Sequence, residues 1–450
     1  MGIRMPGSTT GLFDPNVVKQ LIELESQPIE SAKRRKEQFE VEKEEFQKIQ
    51  DLVFGLDSAL NSLKTKADFY KMKIESSHPD IIDGVVEGYA MPGNFEFEVR
   101  GLARADKKLA FGFPDRDKTP VGFGYMSIER EDKGDFEVII EPGSTLQQVA
   151  NQINDAEAGV RAMVINTKYK PDSYRLLVIS EESGQEAKIK IDEDTTFLEF
   201  KNQVMGRNLE VLFEDVPVTD NDNTLEELVD GIVFNVHRSE PGTRVQVNVV
   251  YDVDAAVEAI TEFVNKYNEL AKAINQQFQV NPQTNRAGVL AGDGSIKSIM
   301  RRLQNSIVQP INTGGKFRTL GEIGITTNPK TGELDYNDSK VKQSLSEDYI
   351  SVANLFIRSQ ESLGVAARLA DNIQALRDPT NGVLRTRMRT MERILQNQDE
   401  EIEKRERTLV EREESIRRRF SSLEGQLAGL KAQGDFLAQR MGGSQGGKDS

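Results

Sequence analysis

Residues 388–437 read MRTMERILQNQDEEIEKRERTLVEREESIRRRFSSLEGQLAGLKAQGDFL and carry one apolar stripe at intervals of seven. The companion heptad positions are polar after Met391, as at Gln398 and Arg405. A self-sufficient coiled coil buries apolar side chains at both core positions of the heptad. This helix therefore needs partner surfaces to be stable. The stripe consists of Met388, Leu395, Ile402, Leu409, Ile416, Leu423, Leu430 and Leu437.

A second stripe of the same period lies near the N-terminus, and there the companion positions are apolar as well. We therefore expect the two ends of the chain to pack together. The stripe is Phe39, Phe46, Val53 and Leu60, and the companions are Ile49, Leu56 and Leu63.

Length and charge limit the class of protein. The chain has 450 residues, 37% hydrophobic residues and a formal net charge of -15, which fits an elongated molecule of several parts. Capture of nucleic acid or of anionic lipid needs a basic surface, so we expect no nucleic-acid partner. Basic residues over 385–419 are nearly balanced by acidic ones, and such mixed charge is typical of a solvated helix face.

Several features of cell location and chemistry are excluded by residue usage. The chain has no cysteine, which rules out disulfides, thiolate metal ligands and cysteine nucleophiles. No stretch approaches the roughly 20 apolar residues that cross a bilayer, so no membrane insertion is expected. Residues 1–16 lack the apolar core and cleavage site of a secretory signal, and export would use another route.

Hydrophobic periodicity divides the chain into helix, sheet and helix. Residues 1–16 are expected to be flexible until Asp14 and Pro15 open a helix, which the sequence predicts to about Lys73 with a break at Pro28. Alternating residues then predict strands, for example over 95–100, 136–140 and 244–249. One helix, Thr145 to Ala156 with Ser144 as its N-cap, interrupts them.

Helical spacing returns at Val253, with further helices predicted at Ser295–Val308 and Asp348–Leu376 and a hairpin at Ile323–Tyr336. The predicted fold class is a multidomain α+β protein with coiled-coil arms, a helical leg and an inserted β-rich head. The predicted domains are an N-terminal arm at 1–38, flexible when free; a helical leg at 39–83 that packs with 254–384; a head of two subdomains at 84–253, the inner one at about 130–200; a helical leg with a hairpin at 254–384; and a C-terminal coiled-coil arm at 385–450, flexible when free.

A search for catalytic or metal-binding motifs finds none that is complete. The two histidines, His78 and His237, lie in different predicted regions without a nearby acid or nucleophile. The run from Asp220 to Asn223 begins like a calcium loop, but Leu225 and Gly231 occupy its glycine and glutamate positions, so a turn before a helix at Thr224 is favoured. We therefore predict no catalytic residue, no cofactor site and no metal site.

Three groups of residues resemble the flagellar cap family, whose members are also called flagellar hook-associated protein 2. The first is Gly11-Leu12-Phe13-Asp14, followed by Val17-Val18, Leu21-Ile22, Glu25 and Pro28-Ile29. The second is Leu290-Ala291-Gly292-Asp293, followed by Leu320-Gly321-Glu322-Ile323-Gly324. The third runs from Arg419-Phe420-Ser421-Ser422-Leu423-Glu424 to Asp435-Phe436-Leu437-Ala438-Gln439. A weaker similarity to a repeat of flagellins covers Ser144 to Gly184.

The resemblance implies a filament cap and not an enzyme. Members of the family form a ring-like homo-oligomer at the distal tip of the bacterial flagellum, where they hold flagellin while it folds and inserts. They are secreted to the cell exterior through the flagellar type III export apparatus, and a cytoplasmic export chaperone is expected at the C-terminal arm. Terminal seams too narrow to fold alone suit passage through a thin channel.

The stripes at both termini are the expected contacts with other copies or with the filament end. Alternative functions are another structural flagellar component, such as a hook-filament junction protein or a filament subunit, and a coiled-coil scaffold or adhesin. A bare, a sheathed and a periplasmic filament remain open. The predicted contact residues are Leu21, Phe39, Phe46, Val53, Ile402, Leu409, Ile416, Phe420, Leu423, Leu430 and Leu437.

Overall fold

The computed structural model describes residues 15–130, 133–192, 198–281, 286–359 and 362–442. The chain divides into two compact units. The strand-rich unit is Tyr70–Ala256, and the helical unit combines the described residues up to Phe69 with those from Val257 onward. The prediction of an α+β fold with long terminal helices and a central strand-rich region is confirmed. The predicted flexibility of residues 1–14 lies outside the described residues.

The two longest helices stand at the two ends of the described chain. The helices are α1 (Pro15–Leu60), α2 (Lys66–Phe69), α3 (Leu146–Asp155), α4 (Val253–Phe278), α5 (Gly294–Val308), α6 (Asp338–Glu347), α7 (Tyr349–Phe356), α8 (Val365–Arg377) and α9 (Val383–Gly442).

Helix α1 contradicts two details of the sequence prediction. It runs through Pro28 without a break, although an internal proline removes a helix hydrogen bond and crowds the preceding turn. Tertiary contacts hold the helix on both sides, because Glu25 pairs with Arg412 and Ile29 is buried against α9. The helix also ends at Leu60 and not near Lys73, because the chain from Met72 onward joins a sheet.

Nineteen strands are described. They are β1 (Met72–Ser76), β2 (Ile82–Val86), β3 (Gly93–Gly101), β4 (Ala105–Ala110), β5 (Gly124–Arg130), β6 (Gly134–Ile140), β7 (Val160–Asn166), β8 (Tyr174–Ser183), β9 (Ile189–Asp192), β10 (Phe200–Val204), β11 (Leu209–Phe213), β12 (Val216–Asp220), β13 (Thr224–Val229), β14 (Ile232–Val236), β15 (Arg244–Tyr251), β16 (Val280–Asn281), β17 (Arg286–Ala287), β18 (Ile325–Thr327) and β19 (Leu334–Tyr336).

The strand-rich unit contains two hydrophobic cores. The first lies under the sheets β1-β15-β3-β11-β12 and β13-β14-β2, where Phe97 and Phe234 are fully buried with ring centroids 4.8 Å apart. The second lies between α3 and the sheets β10-β4-β8-β7 and β6-β5-β9, and it includes Val149 and Ile153. The strand-rich unit begins before residue 84, where the sequence predicts the start of the head. Strand β1 (Met72–Ser76) already belongs to this unit, because it pairs with β15 near the end of the unit.

Two local predictions in this unit are wrong. The N-cap of α3 is Thr145 and not Ser144, because the Thr145 hydroxyl accepts from the Gln148 amide while the Gln148 side chain reaches back to the Thr145 amide. Residues from Thr224 form strand β13 and not a helix. Antiparallel pairing with β14 decides this, since it supplies the backbone hydrogen bonds of the segment.

The helical unit has a core of aromatic and aliphatic side chains from α1, α4, α7 and α8. Tyr267 is fully buried and donates to the Gly332 carbonyl at 3.2 Å. The predicted helix at Ser295–Val308 and the hairpin at Ile323–Tyr336 are confirmed as α5 and as β18 with β19.

The single helix predicted over Asp348–Leu376 is two helices, α7 and α8. Gly364 is the N-cap of α8, and it packs so closely that a Cβ there would lie 2.3 Å from the Phe356 carbonyl carbon. A residue with a side chain would not fit this close backbone approach.

Candidate functional site

The terminal helices α1 and α9 lie side by side in opposite directions. Among the described residues, four ion pairs join them, and the residue number on α9 falls as the number on α1 rises. Lys33 Nζ lies 2.8 Å from Glu406 Oε1, and Lys36 Nζ lies 2.7 Å from Asp399 Oδ1. These side chains are exposed, so each pair adds little stability by itself. Their order fixes the antiparallel register. The four pairs are Glu25–Arg412, Lys33–Glu406, Lys36–Asp399 and Lys43–Glu392.

The ion pairs change the pKa values of their lysines. The hydrogen bond from Lys33 to Glu406 raises the pKa of the Lys33 ammonium above its ordinary value. The hydrogen bond to Asp399 raises the pKa of Lys36 in the same way, against a smaller effect of burial. Both lysines are therefore charged at neutral pH, and the pairing is electrostatic on its exposed sides.

The apolar contact between the two helices is small in the arm region. Ile29 and Ala32 on α1 are buried against Ile402 on α9, with Leu409 partly buried beside them. A seam with so few apolar side chains gains little from the hydrophobic effect. Among the described residues, the arm is therefore held by this small cluster, by the buried Val18 and by a row of exposed ion pairs.

The residues predicted to contact other subunits fall into three groups: buried, half-buried and exposed. Phe46 and Val53 are fully buried in the core of the helical unit, and Ile402 is buried in the arm cluster. The half-buried members are Phe39, Leu409, Ile416 and Phe420, and the exposed members are Leu21, Leu423, Leu430 and Leu437. Phe46, Val53 and Ile402 are thus buried by other residues of the same chain, without a contact to a second copy.

The exposed leucines of α9 lie beyond the described part of its partner. The ion-pair register places Pro15, where the described part of α1 begins, opposite residues near Phe420. Leu430 is 63% exposed and Leu437 is 58% exposed. Together with Leu423 they form an apolar stripe on the last described turns of the helix.

Sequence reasoning missed Ile29 and Ala32 as arm contacts. A signal was present for Ala32, because the stripe of Phe39, Phe46 and Val53 extends backward by sevens through Ala32 to Val18, whereas Ile29 lies off this stripe. Val18 and Ala32 are both buried in the structure. An alanine contributes little to a hydrophobicity pattern, and Glu25 interrupts the stripe, so the pattern weakens where the contact is made.

The sequence prediction that both histidines lack a nearby acid or nucleophile is wrong, because folding and the adjacent residue place polar groups beside them. His237 Nε2 lies 3.1 Å from Asp83 Oδ1, and His78 Nδ1 lies 3.1 Å from the Ser77 hydroxyl. Within the ranges that the structure describes, no group of three or more His, Cys, Asp or Glu side chains is placed to hold a metal ion. Among the same residues, no helix has the length and apolar character of a membrane span.

Comparisons with known proteins agree with the helix, sheet and helix organisation. The family model of the flagellar hook-associated protein 2 C-terminus matches residues 206–432, and that of its N-terminus matches residues 12–106. The B-type flagellar hook-associated protein 2 of Pseudomonas aeruginosa is 26% identical over 381 residues, covering 77% of this chain and 78% of that protein. Flagellar hook-associated protein 2 of Escherichia coli K12 is 22% identical over 369 residues, covering 74% and 78%.

A solved structure shares the fold. The crystal structure of the D1-D2-D3 domains of the flagellar cap protein FliD from Escherichia coli aligns with a TM-score of 0.60 at 21% sequence identity, covering 77% of this chain and 99% of that one. The C-terminal family model alone spans half of the sequence. The chain therefore belongs to the family of flagellar hook-associated protein 2, the filament cap of the bacterial flagellum.

Proposed function

We propose that this chain forms a ring-like homo-oligomer at the distal tip of the filament, outside the cell. There it promotes the folding and polymerisation of exported flagellin and prevents the loss of flagellin subunits. Its partners in this proposal are other copies of itself, flagellin, the flagellar type III export apparatus and a cytoplasmic export chaperone at the C-terminal arm.

One observation carries the oligomer proposal. Leu423, Leu430 and Leu437 form an apolar stripe of α9 that no described residue of the same chain covers. Apolar side chains at a seven-residue period are stable in water only when other helices bury them. Neighbouring copies or subunits at the filament end would supply those helices, and Leu21 on α1 would join the same contact.

The weak arm pairing supports export of the chain in an unfolded form. Separating α1 from α9 in the arm exposes the cluster of Ile29, Ala32, Ile402 and Leu409 together with Val18, and it breaks ion pairs whose side chains are already exposed to solvent. The free energy of this step is small compared with unfolding the core around Phe46 and Val53. An export chaperone would bind the exposed face of the separated C-terminal arm.

We propose the domain division that the sequence predicts, with the borders between legs and head moved to those of the two compact units. The arms at 1–38 and 385–450 would bind neighbouring subunits and the filament, the legs at 39–69 and 257–384 would form a rigid base, and the head at 70–256 would cover the tip. The buried core around Phe46 suits a rigid base, and the exposed leucines suit a binding arm.

A complementation experiment tests the proposal. A strain that lacks the gene should release unpolymerised flagellin into the medium, and the wild-type gene should restore filaments. The double variant Leu423→Asp and Leu430→Asp should release flagellin like the deletion strain while being exported normally. The matched control Ser422→Asp and Ala432→Asp introduces the same charges at exposed positions of the same helix and should restore filaments.

Two outcomes would contradict the proposal. Normal filaments and motility with both leucines replaced by aspartate would remove the role of the stripe. A deletion strain that exports no flagellin at all would instead indicate a filament subunit or an export component, because loss of a cap leaves export intact.

A further inference from the structure

The helical unit has a groove whose floor is apolar and whose rim is basic. It lies between α1, the end of α8 and the start of α9, and it has a volume of about 430 Å³. Arg377 forms one wall, because its guanidinium stacks 4.4 Å from the ring centre of Phe54 and pairs with Asp57 at 2.6 Å. The lining consists of the apolar side chains of Phe54, Leu384 and Met388, here called the floor; of Arg377, Arg385 and Arg389, here called the rim; and of Gln50 and Glu392, whose carboxylate is paired with Lys43.

Two of the rim arginines, Arg385 and Arg389, differ from several arginines further along α9. Further along the helix, arginines pair with a glutamate four residues earlier, as Arg405 does with Glu401 and Arg417 with Glu413. Arg385 and Arg389 have no ion-pair partner in the described part of the chain, and Arg393 continues the row at the same spacing. Like charges four residues apart destabilise a helix. An acidic partner would relieve this repulsion.

The acidic excess of the chain is confined to the strand-rich unit. Residues 70–256 contain 36 acidic and 20 basic residues, a net charge of -16. The remaining residues contain 37 acidic and 38 basic residues and are almost neutral. A second copy of the chain therefore offers a strongly acidic surface to any unpaired basic groove.

One face of that unit matches the groove in both charge and polarity. Ile139 on β6 is 69% exposed, and it lies opposite the exposed Tyr125 of β5 in the strand register. Glu137 and Glu141 flank Ile139 along the chain, both are exposed, and neither side chain has an ion pair among the described residues. Four residues of strand separate the two glutamates by about 13 Å. Eight residues of helix separate Arg385 from Arg393 by about 12 Å.

We propose that the groove receives the β6 face of a second copy, with Ile139 on the apolar floor and Glu137 and Glu141 paired with the row of Arg385, Arg389 and Arg393. Groove and face are different surfaces, so the contact is heterologous, and its repetition produces a ring when the rotation closes. Arginine, methionine and aromatic side chains around a desolvated centre are typical of protein interfaces. The inference rests on the proposed function, because it names the surfaces through which the oligomer forms.

Charge reversal in the full-length protein tests the contact. The association of purified protein would be measured by light scattering over a concentration series, and folding by circular dichroism. Arg385→Glu with Arg389→Glu should raise the concentration needed for association at least tenfold. The control Arg301→Glu with Arg302→Glu changes the same number of charges on exposed positions of α5, outside both the groove and the arms, and it should associate like wild type.

A swap makes the test specific. Glu137→Arg with Glu141→Arg should also impair association, and combining it with the groove reversal should restore association at least in part. If the groove reversal unfolds the protein, Arg385→Gln with Arg389→Gln removes the charges more gently, and a smaller loss of association is then expected.

Each contrary outcome overturns the groove contact in a distinct way. Unchanged association in both reversed variants, or a combined variant that stays impaired, would exclude this pairing while leaving an oligomeric cap intact. Normal association with loss of flagellin retention in cells would assign the groove to flagellin. A wild-type protein that stays monomeric at every concentration would contradict the oligomer proposal itself.

Discussion

Arg387 Nε lies 2.6 Å from Asp293 Oδ2 and so ties the start of α9 to the N-terminus of α5. Asp293 is the N-cap of α5, with its Oδ1 accepting from the Ser295 amide at 2.9 Å, and its side chain is only 7% exposed. Burial alone would raise the pKa of this carboxyl, but hydrogen bonds from Ser295 and Arg387 outweigh burial and lower it. One carboxylate thus caps a helix and anchors the C-terminal arm.

Replacing this carboxylate should destabilise the helical unit. Asp293→Ala removes the cap and leaves Arg387 without its partner, and we expect a loss of about 2–3 kcal/mol in the free energy of unfolding. Asp293→Asn keeps a capping oxygen and should lose less. Denaturant unfolding followed by circular dichroism measures both. The exposed Asp335→Ala should stay within about 0.5 kcal/mol of wild type, and an equal loss there would contradict the argument.

The depressed pKa of Asp293 makes the stability of the helical unit sensitive to acid. Because its folded-state pKa is depressed, the stability it contributes is present above the unfolded pKa of about 3.9 and is lost as the pH falls through the folded value. Unfolding measured between pH 5 and 2 should therefore show less acid destabilisation in Asp293→Asn than in wild type. Parallel pH curves for the two proteins would refute this.

The arm pairing should fail at alkaline pH. Lys33 and Lys36 have raised pKa values, so their contribution is present below the unfolded pKa of about 10.4 and is lost as the pH rises through the folded values. We expect a helix signal from a probe placed in the arm to decrease above that pH before the core unfolds. Lys33→Met with Lys36→Met should remove this early step, and an unchanged step would assign it elsewhere.

Amides of the arm and amides of the core should lose their protection from hydrogen exchange independently. Ile402→Ala removes the centre of the small arm cluster, so amides of residues 18–36 should exchange faster while the main thermal transition is kept. Phe46→Ala opens a cavity in the core and should lower the free energy of unfolding by about 3–5 kcal/mol. A large fall in the main transition for Ile402→Ala would show that arm and core unfold together.

Glycine should stabilise the strained hairpin between β11 and β12. Glu214 and Asp215 join β11 to β12 and both have positive φ, 51° and 62°, which favours glycine or asparagine. Asp215→Gly should raise the free energy of unfolding by about 0.5–1 kcal/mol, since the exposed ion pair with Arg244 that it removes is weak. Asp230→Gly, in another hairpin at a residue without positive φ, should give no gain. Equal gains at both positions would contradict the strain argument.

Hydrophobic periodicity in the sequence predicted the secondary structure correctly where the local side-chain pattern and the tertiary contacts favour the same structure. The alternation of β3, β6 and β15 and the helical face of α5 were predicted from the sequence and are confirmed. The prediction failed at Pro28 and Thr224, where contacts with distant residues decide the structure. Contacts with Arg412 and Ile402 accompany the continuous helix α1 across the proline, and pairing with β14 places Thr224 in a sheet. Such contacts are invisible to a local window, because tertiary packing can outweigh propensity.

The sequence by itself determined that both ends are long helices with apolar stripes, that strands fill the middle and that the chain resembles the filament cap family. Only the tertiary structure decided which stripe residues are covered within one chain, namely Phe46, Val53 and Ile402, and which stay exposed, such as Leu430 and Leu437. It alone brought Phe54 together with Arg377 and Arg389. The physical reason is that a heptad shows which face of a helix is apolar, whereas the surface that covers this face is set by contacts between residues far apart in the chain.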